Sequence, residues 1–119
     1  VENKITVDYS KFDIPPEKIE LILSFIELSG TRQAMESNLK QFILQIPKEQ
    51  RMYMEGLFNV VDIIEKLIPL YDKYYSEIDL QKINAFYSSP EGQKMLEVTP
   101  KIIQDALAVT ANYIKDKTQ

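Results

Sequence analysis

The chain has 119 residues, of which 45% are hydrophobic and 27% charged, and these proportions are typical of one ordinary globular domain. Lysine and arginine number 14 against 18 acidic residues, and the net charge of −4 argues against a general nucleic-acid-binding protein, which needs a basic face. Cysteine and histidine are both absent, which excludes disulfides, thiolate nucleophiles, zinc–thiolate sites and catalysis by an imidazole.

The first two predicted elements are an N-terminal arm and a strongly apolar helix. Weak alternation over residues 1–14 predicts an extended arm, followed by a single helical domain over 15–119. Pro15 and Pro16 mark the start of the first helix and Gly30 marks its end. This helix is apolar around most of its girth, so we expect it to lie deep in a bundle or against a second chain. Its apolar residues are Ile19, Leu21, Ile22, Leu23, Phe25, Ile26 and Leu28.

Three further helix starts are predicted by capping residues and prolines. Thr31 is the predicted N-cap of a second helix that ends before Pro47, where a third helix begins. Pro69 lies within the third helical pattern, so we expect a kink or a break there. Ser76 and Asp79 have the spacing of a capping box, which predicts the start of a fourth helix.

The C-terminal third carries two more proline-marked helix starts. Ser89 with Pro90 predicts a short fifth helix, and Thr99 with Pro100 predicts a last helix. The predicted fold class is therefore all-α, a compact array of five to six helices with tight corners marked by prolines. We expect the last helix to bury Ile102, Ile103, Ala106, Leu107, Thr110, Tyr113 and Ile114.

The corner that begins at Ser89 is the first part of the candidate site. Ser89 can cap the following helix, Pro90 suits its first position, and Gly92 lacks a Cβ, so a ring or a second backbone can approach closely. This interpretation makes the corner structural. The functional alternatives are an anion bound by the N–H groups of Gly92 and Gln93 with help from Lys94, or a surface that recognises a partner.

Aromatic residues surround this corner in the sequence and form the second part of the candidate site. Tyrosine combines an apolar ring with a polar hydroxyl, which suits pockets and interfaces that are partly exposed to solvent. The group can pack beneath a helix junction, or it can form the rim of a pocket or a contact patch. Its members are Tyr71, Tyr74, Tyr75, Phe86 and Tyr87.

The same region resembles a bacterial family, the domain-of-unknown-function 2059 family. The resemblance lies in the stretch 71–80, in the run Phe-Tyr-Ser-Ser-Pro-Glu-Gly-Gln-Lys over 86–94, and in Pro100, and it covers roughly residues 67–105. It implies an all-helical fold and export with removal of a signal peptide, so a periplasmic or secreted location, which would account for a chain that starts at Val1. It implies no activity.

Three functions remain open at this point. The first is a non-catalytic helical interaction module of the bacterial cell envelope, which binds a protein partner or self-associates through its apolar first helix. The second is a carrier of a small apolar ligand or lipid. Its cavity between helices would be lined by Leu57, Val61, Ile64, Tyr71 and Phe86.

The third function, an envelope hydrolase with paired carboxylates, is disfavoured. Glu91 and Glu97 are six residues apart and do not share a helix face, and Asp72 and Asp79 are the other candidates. We therefore expect no catalytic residue, metal or cofactor. No run of about 18 uncharged apolar residues exists, so a transmembrane segment is not expected either.

Overall fold

A computed structural model describes residues 5–119, and the described chain is helical almost throughout. It contains no strand, so the all-α class and the expected five to six helices are confirmed. The elements are a short 3-10 helix (Tyr9–Lys11) followed by α1 (Pro16–Leu28), α2 (Thr31–Leu44), α3 (Lys48–Leu57), α4 (Val60–Tyr74), α5 (Glu77–Ser88) and α6 (Pro90–Thr118).

The chain forms two units, the first ending at Ala85 and the second running from Phe86 to Gln119. The division into an arm over 1–14 and a single domain over 15–119 stays a prediction, and residues 1–4 of that arm lie outside the described residues. None of the helices within 5–119 combines the length and the apolar composition needed to cross a bilayer.

The helices divide the chain differently from the prediction in two places. The predicted third helix is two helices, α3 and α4, because Phe58 and Asn59 are extended and the Asn59 side chain caps α4 by accepting from the Val61 N–H at 2.8 Å. The predicted fifth and sixth helices are one continuous α6, which runs through Pro100. A single proline removes only one hydrogen bond, and α4 likewise continues through Pro69 without a break.

The caps of the first helices are confirmed except at Thr31. Pro16 is the first residue of α1, and Gly30 follows its end with the left-handed φ of 80°. That same glycine is the N-cap of α2, so Thr31 is already helical and the prediction of Thr31 as the cap is wrong. The Thr31 hydroxyl instead pairs with the Ser29 hydroxyl at 2.8 Å.

The core of the first unit is built mainly from isoleucines of α1 and α4. Phe25 and Tyr71 are partly buried against this core, and their rings meet edge-on with centroids 5.5 Å apart. The deep position predicted for α1 is therefore confirmed, and its apolar girth is covered within its own unit. The fully buried side chains are Ile19, Ile22, Ile26, Ile64, Ile68 and Leu80.

Polar contacts hold α1 to its neighbours. Lys18 Nζ lies 2.7 Å from Asp72 Oδ1 and connects α1 with α4. The buried Arg32 of α2 donates to both carboxylate oxygens of Glu27 at 2.7 and 2.9 Å, and it also lies 2.8 Å from Glu36. These two carboxylates, Glu27 first, raise the pKa of the Arg32 guanidinium, so the buried charge is paired on both sides.

The core predicts a sharp contrast between two adjacent isoleucines of α4. Ile64 is fully buried, whereas Ile63 is 36% exposed. We expect Ile64→Ala to lower the free energy of unfolding by about 2–5 kcal/mol, because it leaves a cavity in a packed core. Ile63→Ala should cost about 1 kcal/mol or less, since water already reaches that side chain. Urea denaturation of both variants measures the difference, and equal losses would contradict the assigned core.

The capping box at the start of α5 predicts a pH dependence. The Asp79 carboxylate accepts from the Ser76 N–H at 3.0 Å, while the Asp79 N–H donates to the Ser76 hydroxyl at 3.0 Å. The Ser76 N–H first, and the Ser76 hydroxyl second, lower the pKa of the Asp79 carboxyl from its ordinary 3.8. Because the pKa of Asp79 is lower in the folded chain than in the unfolded chain, its negative charge stabilises the folded protein at pH values above the ordinary pKa. This stabilisation is lost as the pH falls through the pKa of the folded state.

We therefore expect the original chain to be more stable than Asp79→Asn at pH 7 and to lose this advantage below about pH 3.8. Thermal melts between pH 7 and 3 measure the gap. Glu55→Gln, which removes an acidic charge from exposed α3, is the control for the change in net charge. A gap that persists unchanged in acid would contradict the role of the Asp79 charge.

Candidate functional site

The candidate site residues divide between the two units. Tyr71, Tyr74 and Tyr75 belong to the first unit, at the end of α4. The corner residues belong to the second unit, where the last turn of α5 meets the first turn of α6. The corner residues are Phe86, Tyr87, Ser89, Pro90, Gly92, Gln93 and Lys94.

Two of the three tyrosines of α4 are packing residues. Tyr71 and Tyr75 are half-buried and stack on each other at 6.2 Å, and both meet the ring of Phe25 edge-on at 5.5 and 5.6 Å. Such pairs stabilise a helix contact beyond their burial. Tyr74 differs, since it is 71% exposed with the Lys73 ammonium 5.3 Å from its ring. The packing interpretation therefore accounts for Tyr71 and Tyr75.

The Ser89 hydroxyl makes two hydrogen bonds that connect α5 and α6 at the corner, one as acceptor and one as donor. It accepts from the Gly92 N–H at 3.0 Å and donates to the Phe86 carbonyl at 2.5 Å. Pro90 follows as the first residue of α6, as the sequence predicts. The Gln93 side chain donates to the Tyr87 carbonyl, so the first turn of α6 also binds the last turn of α5.

Gly92 is the point of closest approach between these two turns. It is buried, and a Cβ at this position would overlap the Phe86 carbonyl oxygen and lie 2.8 Å from the Tyr87 Cα. The Gly92 N–H donates to Ser89, and the Gln93 N–H donates to the Ser89 carbonyl at 3.0 Å. The two N–H groups that an anion would require are therefore engaged inside the corner.

The residues predicted to line a ligand cavity have diverse environments. Ile64 is fully buried in the core, and Val61 and Tyr71 pack partly buried against it. Leu57 is 55% exposed at the end of α3, and Phe86 belongs to the second unit. Within the first unit, Val61, Ile64 and Tyr71 therefore supply packing, and the ligand cavity stays a prediction.

A cleft in the first unit is lined by four charged side chains and one phenylalanine ring, and carbon atoms make up more than half of its exposed lining. A salt bridge of 3.1 Å joins Lys11 to Glu65 within it. Its lining consists of Lys11, Phe12, Asp62, Glu65 and Lys66.

The acids considered for catalysis lie in ordinary structural or exposed positions. Asp72 pairs with Lys18, Asp79 belongs to the capping box, and Glu91 and Glu97 are exposed on α6. A general acid needs a raised pKa, and the pKa of Asp79 is lowered. Among residues 5–119, no group of three or more histidine, cysteine or acidic side chains is placed to hold a metal ion.

The most prominent surface of the second unit is the apolar face of α6. The prediction that this helix buries its apolar residues is wrong within its own unit, which contains α6 and only the last turn of α5. Hydrophobic spacing shows which face is apolar but not whether another element covers it. The exposed side chains, each 41–69% accessible, are Met95, Ile102, Ile103, Leu107, Val109, Tyr113 and Ile114.

Most charged residues avoid this face. By helical spacing, the charged side chains of α6 lie on the opposite arc of the helix, except Glu91 and Asp116 at the edge beside Val109 and Lys117 on the face itself. Lys117 reaches back over the ring of Tyr113, with its ammonium 5.5 Å from the ring centroid. Together the 29 residues of α6 form one long amphipathic helix with a continuous uncovered apolar face.

The corner predicts opposite effects for the same substitution at two helical glycines. Gly92→Ala places a Cβ against backbone atoms that cannot move aside separately, so we expect the free energy of unfolding to fall by about 1–3 kcal/mol. Gly56→Ala in α3 meets nothing within 4 Å, so it should be neutral or stabilise by about 0.5–1 kcal/mol. Circular dichroism during urea denaturation measures both, and a Gly92→Ala variant as stable as Gly56→Ala would contradict the close approach.

Comparison with known proteins identifies a family for the C-terminal half of the chain. Residues 61–119 match the family model described as an uncharacterized protein conserved in bacteria (DUF2059), which confirms the resemblance found in the sequence. No curated protein and no solved structure matches the chain. The matched segment contains most of α4, all of α5, the corner and all of α6. The chain is therefore similar to the bacterial DUF2059 family over 59 of its 119 residues.

Proposed function

We propose that the protein is a non-catalytic interaction module of the bacterial cell envelope that binds another protein through the apolar face of α6. The observation that carries the proposal is the row of large apolar side chains that the second unit leaves exposed, with Leu107 at 69%. Large exposed apolar patches mark interaction sites, since their exposure to water is unfavourable.

The charges of α6 favour a protein over a lipid surface. The helix carries four lysines and four acidic residues, so its polar side is balanced in charge. Helices that lie on membranes have a polar side rich in lysine and arginine and use tryptophan at the interface. The whole chain is acidic and has no tryptophan. A protein surface with its own apolar stripe and mixed charges is the better complement.

The envelope location and the absence of catalysis are part of the proposal. The location rests on the bacterial family and on the export that the resemblance implies. The absence of catalysis is supported by the positions of the candidate acids, since Asp72 pairs with Lys18, Asp79 belongs to the capping box, and Glu91 and Glu97 are exposed on α6. The general acid of an envelope hydrolase would instead need a cleft that raises its pKa.

Site-specific photo-cross-linking in bacterial cells that produce the full chain tests the proposal. A benzoylphenylalanine at position 107 lies on the apolar face of α6, and one at position 108 lies on the opposite, polar arc. We expect position 107 to form a covalent adduct with a protein of defined mass, and position 108 to form at least tenfold less. Ile103→Asp, introduced beside the probe at 107, should abolish the adduct, because it places a charge within the apolar contact.

Each other outcome contradicts the proposal. Equal adducts at positions 107 and 108 would indicate random collision, and no adduct at 107 would mean that the face has no protein partner. An adduct with a lipid would favour the carrier or a membrane-bound helix. An intramolecular cross-link from 107 to residues of the first unit would show that the chain covers this face itself.

A further inference from the structure

We propose that the cleft beside α4 binds a free amino acid with a large apolar side chain. The cleft holds about 410 Å³, a volume within the range of small-molecule sites in proteins. All of its lining residues belong to the first unit, so this inference goes beyond the function proposed for α6 and does not depend on it.

The walls of the cleft come from two segments that are distant in the chain. Lys11 and Phe12 precede α1, whereas Asp62, Glu65 and Lys66 lie on α4. Glu65 and Lys66 follow Asp62 by three and four positions, so helical spacing sets all three on one face of the helix. Two ammonium groups and two carboxylates therefore surround one phenyl ring.

One pair of opposite charges in the cleft is already satisfied by the fold. Lys11 Nζ lies 3.1 Å from Glu65 Oε1, and the Glu65 side chain is only 16% exposed. The hydrogen bond to Glu65 is the first cause that raises the pKa of the Lys11 ammonium. The Lys11–Glu65 pair therefore forms a fixed part of the wall.

The other two charges of the cleft have no such partner. Asp62 and Lys66 are exposed, and within residues 5–119 neither side chain takes part in an ion pair. They lie one helical turn apart and line the same cleft. A ligand with an ammonium and a carboxylate meets both, its ammonium at Asp62 and its carboxylate at Lys66. An ion of a single sign would meet repulsion as well as attraction, because the four lining charges cancel.

The Phe12 ring determines the third part of the ligand. This ring packs partly buried against the core, and carbon atoms make up more than half of the exposed lining of the cleft. A ligand side chain that covers the ring removes apolar surface from water, and an aromatic side chain gains further from the contact between rings. The ligand that matches both charges and the ring is an amino acid such as phenylalanine.

Titration of the isotope-labelled full chain with L-phenylalanine, followed by NMR, tests this inference. We expect shifts confined to the amides around residues 11–12 and 62–66, with a Kd on the order of 1 mM, because exposed ion pairs are weak. Glycine has both charges but no side chain to cover the ring, so it should bind about tenfold more weakly. Phenethylamine lacks the carboxylate and 3-phenylpropionate lacks the ammonium, so each should bind about twofold to fivefold more weakly.

Substitutions in the cleft should produce the matching losses. Asp62→Asn and Lys66→Gln each remove one charge and should each raise the Kd for phenylalanine about twofold to fivefold. Asp62→Asn should also no longer distinguish phenylalanine from 3-phenylpropionate, because the partner of the ammonium is gone. By the same reasoning, Lys66→Gln should no longer distinguish phenylalanine from phenethylamine.

The matched controls change the same residue types at exposed positions outside the cleft. Lys40→Gln in α2 and Asp105→Asn in α6 should leave the Kd for phenylalanine unchanged. Circular dichroism verifies that every variant keeps its helices, so that a loss of binding reports on the cleft rather than on the fold.

The inference is overturned if the chain shows no shift at a phenylalanine concentration about tenfold above the expected Kd. It is also overturned if the shifts are spread over both units, or if the three analogues bind as tightly as phenylalanine. None of these results bears on cross-linking at position 107, so this inference and the proposed function fail separately.

Discussion

An amphipathic helix cannot bury its own apolar face, and the second unit depends on this constraint. α6 spans 29 residues, and its unit offers only the last turn of α5 as further structure. Helices become stable parts of a domain by packing that face against a second layer. The exposure of Ile102, Leu107 and Tyr113 is therefore the feature from which the proposed function follows.

The first unit meets the same constraint internally, and this contrast is the reason why we propose α6, rather than α1, as the interaction surface. Its apolar helix α1 is enclosed by α2 and α4, with Ile22 and Ile64 fully removed from water. Its one buried charge, among the described residues, is Arg32, and two carboxylates neutralise it. A unit whose apolar and charged groups are satisfied in this way has the character of a scaffold, so we place the interaction in α6 rather than in α1.

Local features could be predicted from the sequence because they depend on residues a few positions apart. Pro16, Gly30 and the Ser76–Asp79 capping box all have the predicted roles, and so does Ser89 at the start of α6. Thr31 was misassigned because Gly30 serves both helices, which no spacing rule reveals. Asn59 is the N-cap of α4, but the apolar pattern runs across this position and gives no sign of the break between α3 and α4.

Features that depend on tertiary packing could not be predicted in the same way. The periodicity of Ile103, Leu107 and Ile114 indicates one apolar face, yet burial requires a neighbour, and periodicity contains no information about neighbours. The same limit applies to α1. Its wide apolar girth fits a position deep in a bundle as well as a contact with a second chain, and only the positions of α2 and α4 distinguish the two. Proline is a related case, since Thr99–Pro100 has the form of a helix start but lies within α6.

The corner and the exposed face are linked by the geometry of a single helix. The close approach of Gly92 to Phe86 and the bonds of Ser89 anchor the first turn of α6, and every later side chain of that helix follows in fixed rotation from this turn. We therefore propose that the corner over 86–94 acts structurally, by holding the first turn of the helix that presents the apolar face, which is the role that the proposed interaction requires.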